Sequence, residues 1–249
     1  MKNLLHAAIL AVQFLTRIPV PVSVEPEEST TGKALVLFPL VGWLLGSLLF
    51  ALWWLLNASG KFNPFTASVI IVTAETILTG AFHLDGLADT FDALLSPGTN
   101  PEEKLSIMKD SRIGVMGATA LILSLLLKAA LLSELLEINM ALAIVMYPVA
   151  GRWNQVALYV LSPYVRQSGI GKQFSIMADR KTLLLASIWL LPYFAFPVFI
   201  FSFLFLILFT FGYRKYVHGH IGGITGDILG SATVLSEIFF LLGVVIFNL

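Results

Sequence analysis

The chain has 249 residues, of which 57% are hydrophobic and only 12% charged. A soluble domain carries about 25% charged residues, so composition excludes a water-soluble enzyme and a disordered chain. Fifteen Lys and Arg balance fifteen Asp and Glu, which excludes a basic nucleic-acid binder, and the lack of cysteine excludes disulfides, thiolate zinc sites and iron–sulfur clusters.

What remains is an integral membrane protein, read here as a single all-α, polytopic helix bundle over 1–249. Residues 1–20 open it. Lys2, His6, Gln13 and Arg17 fall within about 60° of one another at helical spacing, and Pro19 and Pro21 end the stretch. A polar stripe on an apolar helix predicts an interfacial or re-entrant helix, over a true span or a cleaved signal segment. A bilayer core needs about 20 apolar residues per helix. The runs 35–56, 65–82, 114–133, 138–163, 183–211 and 228–247 meet that need, carrying at most one charge each. Run 183–211 holds Pro192 and Pro197 near its middle, and proline breaks the helical ladder. It is read as two helices meeting near 192–197, for six or seven transmembrane helices in all. Gly42-x-x-x-Gly46 reads as helix packing.

Basic residues concentrate in 1–33, 83–113 and 164–182 and are sparse in the turns near 57–64 and 134–138, so the first three segments are expected on the cytoplasmic side. The most informative segment, 83–113, begins at His83. Asp85, Asp89 and Asp92 follow at spacings of four and three, one face of a helix, with no Lys or Arg within a turn. Three such carboxylates repel unless a cation binds them, and all-oxygen ligands favour Mg²⁺, with Mn²⁺ or Ca²⁺ as alternatives. A solvated acidic helix end is the plainer reading. Asn100, Pro101 and Glu103 form a capping-box helix start, predicting a short helix to about Lys109. Lys109 and Arg112 beside Asp110 suit a phosphate or pyrophosphate ligand.

Within the apolar runs, Glu75 is a candidate functional residue. Arg152 is expected to pair with a phosphate or with Glu75. Lys128 is read as structural, with its long stem snorkelling, and Glu237 as a hydrogen-bonded packing residue. Near the end, in 212–231, comes Gly222-Gly223-Ile224-Thr225-Gly226-Asp227. Gly223 permits close backbone approach, Thr225 opens a helix whose amides favour anions, and Asp227 is available to complete a metal shell. Asp227 joins the other acids only if run 183–211 folds as two helices. His218 and His220 are a weak metal signal. Together these features fit Mg²⁺-assisted phosphoryl transfer at a cytoplasmic membrane face. The rival is an ion-coupled transporter with Glu75, Arg152 and Glu237 lining a path.

These motifs are similar to those of the cobalamin synthases, the adenosylcobinamide-GDP ribazoletransferases. The resemblance runs through Thr16-Arg17-Ile18-Pro19-Val20-Pro21, Phe38-Pro39-Leu40-Val41-Gly42, Gly80-Ala81-Phe82-His83-Leu84-Asp85-Gly86-Leu87-Ala88-Asp89-Thr90, Lys109-Asp110-Ser111-Arg112-Ile113-Gly114, Gly151-Arg152-Trp153 and Gly222-Gly223-Ile224-Thr225-Gly226-Asp227. Ala81 stands where Gly is common in the family, and Ser231 where Ala is expected. The resemblance implies a transferase that joins adenosylcobinamide-GDP to α-ribazole or its 5′-phosphate and releases GMP, with Mg²⁺ as cofactor. On that footing Asp85, Asp89 and Asp92 are expected metal ligands, and His83, Asp110 and Asp227 catalytic groups. Lys109, Arg112, Arg152, Gly223 and Thr225 are expected at the substrate. The expected setting is the cytoplasmic (inner) membrane of a bacterium or archaeon. The lipid bilayer is a partner and nucleic acid is not, and homo-oligomers or complexes with other cobalamin-assembly enzymes are left open. A CDP-alcohol-phosphotransferase-like enzyme is the alternative within the same chemistry.

Overall fold

A computed structural model describes residues 2–97 and 100–248, without the side chains of Lys2 and Asn3. The described residues are mostly helical, and their one β-type contact is an isolated bridge between Tyr164 and Ile224. In chain order the helices are α1 (Lys2–Leu15), α2 (Glu28–Val36), α3 (Phe38–Ser59), α4 (Pro64–Thr79), α5 (Phe82–Leu94) and α6 (Pro101–Ile107). They continue as α7 (Val115–Glu137), α8 (Ala143–Leu161), α9 (Ile170–Ile176) and α10 (Arg180–Ser187). A 3₁₀ helix (Ile188–Ala195) then leads into α11 (Pro197–Ile221) and α12 (Gly226–Phe247).

The bundle is a membrane protein by length and composition. Helices α3, α7, α11 and α12 are each long and apolar enough to cross a bilayer. Their outer faces expose large apolar side chains such as Trp54, Leu123, Leu126, Leu204 and Leu208, which suits lipid and not water. A fifth span appears only if α4 and α5 are counted together, and they are bent by 92°. The sequence runs predict more crossings for two physical reasons. Run 138–163 becomes α8, whose Arg152, Asn154 and Gln155 lower its apolarity, but which is walled in by protein with these residues buried. Run 183–211 does break where its prolines sit: α10 and the 3₁₀ helix descend to Ala195, extended Phe196 turns the chain, and α11 returns. The descending limb is short, about 28 Å from 1.5 Å per α residue and 2.0 Å per 3₁₀ residue.

Helix α1 is 14 residues, or about 21 Å, too short to cross. It docks through Ala7, Leu10, Ala11 and Leu15. Of its predicted polar stripe, Gln13 donates to the Val22 carbonyl (2.6 Å), and Arg17 lies 4.0 Å over the Phe82 ring. His6 is exposed, and the Lys2 side chain is outside the described residues.

Helix α12 is the most buried of the four spanning helices. It packs on α5, α8 and α11, and small residues set how close they come. A side chain at Gly243 would collide with the Ser202 backbone of α11, and one at Gly151 with Glu237. Gly42 and Gly46 of α3 lie directly on the α8 backbone, as their spacing predicts.

Candidate active site

The acids of α5 are aimed by a turn. Gly80 (φ 64°) and Ala81 (φ 59°) both take left-handed backbone, ending α4 and starting α5 at the sharp bend. With 13 residues and three acids, α5 is by itself neither long nor apolar enough to cross a bilayer. Its Gly86 rests on the backbone of Asp227, where a Cβ would overlap the Asp227 carbonyl, and Gly230 of α12 rests on His83. Asp227 is thereby brought beside Asp85 and Asp89 from more than 130 positions along the chain.

A second connection completes the site. The Val165 amide donates to the Ile224 carbonyl (3.0 Å), and the Ile224 amide donates to the Pro163 carbonyl (2.9 Å). Gly223 permits this approach, because a Cβ there would strike the Pro163 carbonyl oxygen. Thr225 caps α12, its hydroxyl accepting from the Ile228 amide at 3.2 Å. The paired loops set Arg166 against Asp227, with Nη2 2.5 Å from Oδ2. Sequence reading counts Arg166 only among cytoplasmic bases. Nothing local marks it, since its partner is 61 residues away.

The electrostatics are those of crowded carboxylates. The pKa of Asp89 is pushed up to about 6, first by partial burial and then by the charges of Asp85, Asp227 and Asp92, with Arg166 opposing. Asp92 is differently engaged. Its Oδ2 accepts from the Gly114 amide (2.7 Å) and its Oδ1 from the Gly117 amide (2.8 Å), so it caps α7. The two glycines are needed because side chains there would overlap the Asp92 carboxylate. The loop carrying Lys109, Asp110 and Arg112 follows α6, whose predicted capping box is present at Asn100 and Glu103. Asp110 and Arg112 border the same open depression as Asp92. Arg112 binds both oxygens of Asp110 and draws its pKa down to about 2.

His83 faces α8. Thr233 donates its hydroxyl to the Leu229 carbonyl (2.8 Å), so it accepts from Gln155 Nε2 (2.6 Å). The other N–H of that amide faces His83 Nε2 at 3.1 Å. This makes Nε2 the acceptor and places the imidazole proton on Nδ1.

Arg152 has one of its two expected partners, Glu75, together with a second acid, Glu237. It is fully buried and donates to Glu237, with Glu75 3.9 Å away. Lys128 does not snorkel: it is buried and bridges Glu75 (2.6 Å) and Glu237 (2.5 Å). Tyr147 donates to Glu75 at 3.0 Å. Two acids and two bases from four helices thus neutralise one another inside the bundle. A cation at this depth needs a counter-charge more than it needs water, and Glu237 supplies it. Arg152 is therefore matched by carboxylates within the bundle, and the guanidinium beside the site acids is that of Arg166.

Among the described residues no three His, Cys, Asp or Glu form a ready-made metal cage. The donor set still suits Mg²⁺, which takes one or two carboxylates and completes its shell with phosphate oxygens and water. Asp85, Asp89 and Asp227 offer such carboxylates, and a cation there relieves the repulsion on Asp89.

Beside these acids lies a cavity of about 440 Å³, lined by Phe82, His83, Gln155, Tyr159, Tyr164 and Arg166 among others. The arrangement is a carboxylate cluster with one paired guanidinium at the mouth of a partly aromatic cavity, suited to a metal-bound phosphate ester.

Residues 7–245 match the family model described as cobalamin-5-phosphate synthase. The chain is 37% identical over 245 residues to an adenosylcobinamide-GDP ribazoletransferase of Acetivibrio thermocellus, covering 96% of each chain. It is 38% identical over 250 residues to one of Desulfitobacterium hafniense, covering 94% of each. With one of Pseudomonas fluorescens it shares 36% over 246 residues, covering 96% of this chain and 98% of the relative. No solved structure matches.

Proposed function

Because the chain belongs to the cobalamin-5-phosphate synthase family of transferases, we propose that it joins adenosylcobinamide-GDP to α-ribazole, or to its 5′-phosphate, and releases GMP. The observation that carries this reading is the convergence of Asp85 and Asp89 with Asp227 and Arg166 from three separate parts of the chain.

Asp85, Asp89 and Asp227 would hold Mg²⁺. When bound, the ion supplies charge neutralisation at the pyrophosphate oxygens. The chain's own groups do the rest. A ribose hydroxyl oxygen of the ribazole forms a new bond to the corrinoid-side phosphorus, and the P–O bond to GMP breaks. The hydroxyl proton passes to a carboxylate of the cluster. Arg166, anchored by Asp227, offers its remaining N–H groups to the charge developing on the leaving phosphate. Lys109 adds positive charge on the other flank, where Arg112 is matched by Asp110, and His83 donates from Nδ1 to orient a reacting oxygen. Asp92 fixes the loop that carries them.

The basic residues of 83–113 and 164–182 support a site on the cytoplasmic side of the inner membrane. A transporter is disfavoured by the Glu75–Lys128–Glu237–Arg152 cluster, whose charges bind each other and leave only about 20 Å³ of space between α4, α5, α7 and α12. Replacing Asp89 by Asn tests the reading: turnover is expected to vanish with the folded protein still in the membrane. Near-normal GMP release from that variant overturns the metal assignment.

A further inference from the structure

We propose that the cavity bounded by Gln155, Tyr159 and Arg166 binds the guanine nucleoside of the leaving group, with Gln155 Oε1 accepting from the base. The inference rests on the reaction proposed above and adds which part of which substrate enters this cavity.

Three observations carry it. Buried polar atoms without a protein partner are few, because each costs about 1–3 kcal/mol. Three of those in the described residues, Gln155 Oε1, Tyr159 Oη and Arg166 Nε, belong to residues lining this one cavity. Gln155 and Tyr159 are only 4% and 3% exposed, so bulk water does not serve them. The orientation of the Gln155 amide is also set by its surroundings. Both of its N–H groups are taken by Thr233 and His83, which leaves the oxygen as an acceptor in need of a donor.

The walls define the rest of the occupant. Phe82, Tyr159 and Tyr164 supply flat apolar surface, and the two tyrosine rings lie within 15° of parallel at 6.2 Å. Small-ligand sites run to about 300–1,000 Å³. A cavity of about 440 Å³ admits a nucleoside, whereas a corrin ring with its side chains would overfill it. Of the three nucleosides in the substrates, the deoxyadenosyl group is carried on the cobalt and is not joined to the pyrophosphate, which leaves guanosine and α-ribazole for a cavity beside the phosphate site. The benzimidazole base of α-ribazole has no N–H once its glycosidic bond is made. Guanine has N1–H and the N2 amine, which Gln155 Oε1 can accept, and O6 and N7, to which Tyr159 can donate. Arg166 then joins cavity to chemistry, with Nη2 on Asp227 and Nε available to the phosphate of the same nucleotide.

The test is equilibrium binding of labelled GMP and AMP to the purified full chain in detergent, beside a GMP-release assay with adenosylcobinamide-GDP and α-ribazole. Wild type is expected to bind GMP at least tenfold tighter than AMP. Gln155→Leu should reduce that preference to less than twofold. Tyr159→Phe, which keeps the ring, should weaken GMP at least threefold without changing the KM for α-ribazole. Equal binding of GMP and AMP by an active wild type overturns the guanine assignment alone. So does a Gln155→Leu or Tyr159→Phe enzyme that loses α-ribazole affinity and keeps GMP affinity, since the cavity then belongs to the nucleophile's base. A folded wild type that discriminates GMP from AMP but releases none from adenosylcobinamide-GDP overturns the reaction and retains the cavity.

Discussion

Removing the Lys128 ammonium isolates the energetics of the buried charge cluster. Its Nζ lies 2.6 Å from Glu75 and 2.5 Å from Glu237, and Arg152 is the only other cation among the described residues that contacts these acids. In Lys128→Met two buried carboxylates face a single guanidinium. Breaking a buried pair by deleting one partner costs about 3–5 kcal/mol, mainly from the uncompensated charge left behind. For a chain of this length each kcal/mol moves the melting midpoint by about 2–4 °C, so the expected fall is roughly 6–20 °C. Thermal unfolding followed by tryptophan fluorescence in detergent measures it. Lys128→Met combined with Glu75→Gln restores neutrality and should recover at least half of the loss. A shift under 2 °C in the single variant, or a double variant as unstable as the single, would show that Lys128 does not balance these buried carboxylates.

Four further outcomes concern the site and the turn before it. Since the Asp89 pKa is raised from 3.8 to about 6, the carboxylate form needed for a divalent ion is lost as pH falls below about 6. The activating concentration of Mg²⁺ should therefore rise steeply on the acid side. Arg166→Gln removes the one cation that opposes the shift and should move that limb to higher pH. In metal-free protein the same shift contributes stability below pH 3.8 that is lost as pH rises through about 6, and Asp89→Asn should abolish that dependence in pH-resolved melting. Ala81 holds a φ of 59°, a conformation that costs a non-glycine residue about 1–2 kcal/mol. Set against the extra entropy of glycine, about 0.5–1 kcal/mol, Ala81→Gly should stabilise by up to about 1.5 kcal/mol, read as a higher melting midpoint.

Local signals were legible where local physics decides. The spacing of Asp85, Asp89 and Asp92 does put them on one helix, Asn100 and Glu103 do cap α6, and Pro192 and Pro197 do mark the break before α11. What was not legible depends on contacts between distant segments. Asp92 has the same spacing as its neighbours, yet the start of α7 claims both its oxygens. Lys128 looks like a snorkelling stem, and Arg152 suits a phosphate as well as Glu75, until Glu237, 109 and 85 positions on, is placed beside them. Arg166, Gln155 and Tyr159 carry no motif at all. Arg166 became a site residue through the pairing of the 163–165 strand-like turn with Ile224, which only a glycine at 223 permits, and Gln155 and Tyr159 through the packing of α8 against α12.

In the proposed mechanism Asp85, Asp89 and Asp227 form a divalent-cation site for transfer to a ribazole hydroxyl. The most direct test is GMP release from adenosylcobinamide-GDP with α-ribazole, measured for wild type and Asp89→Asn with and without Mg²⁺. Release in the wild type is expected to need both α-ribazole and Mg²⁺, with none above background in the folded variant. Release by Asp89→Asn at a rate near that of wild type would contradict it.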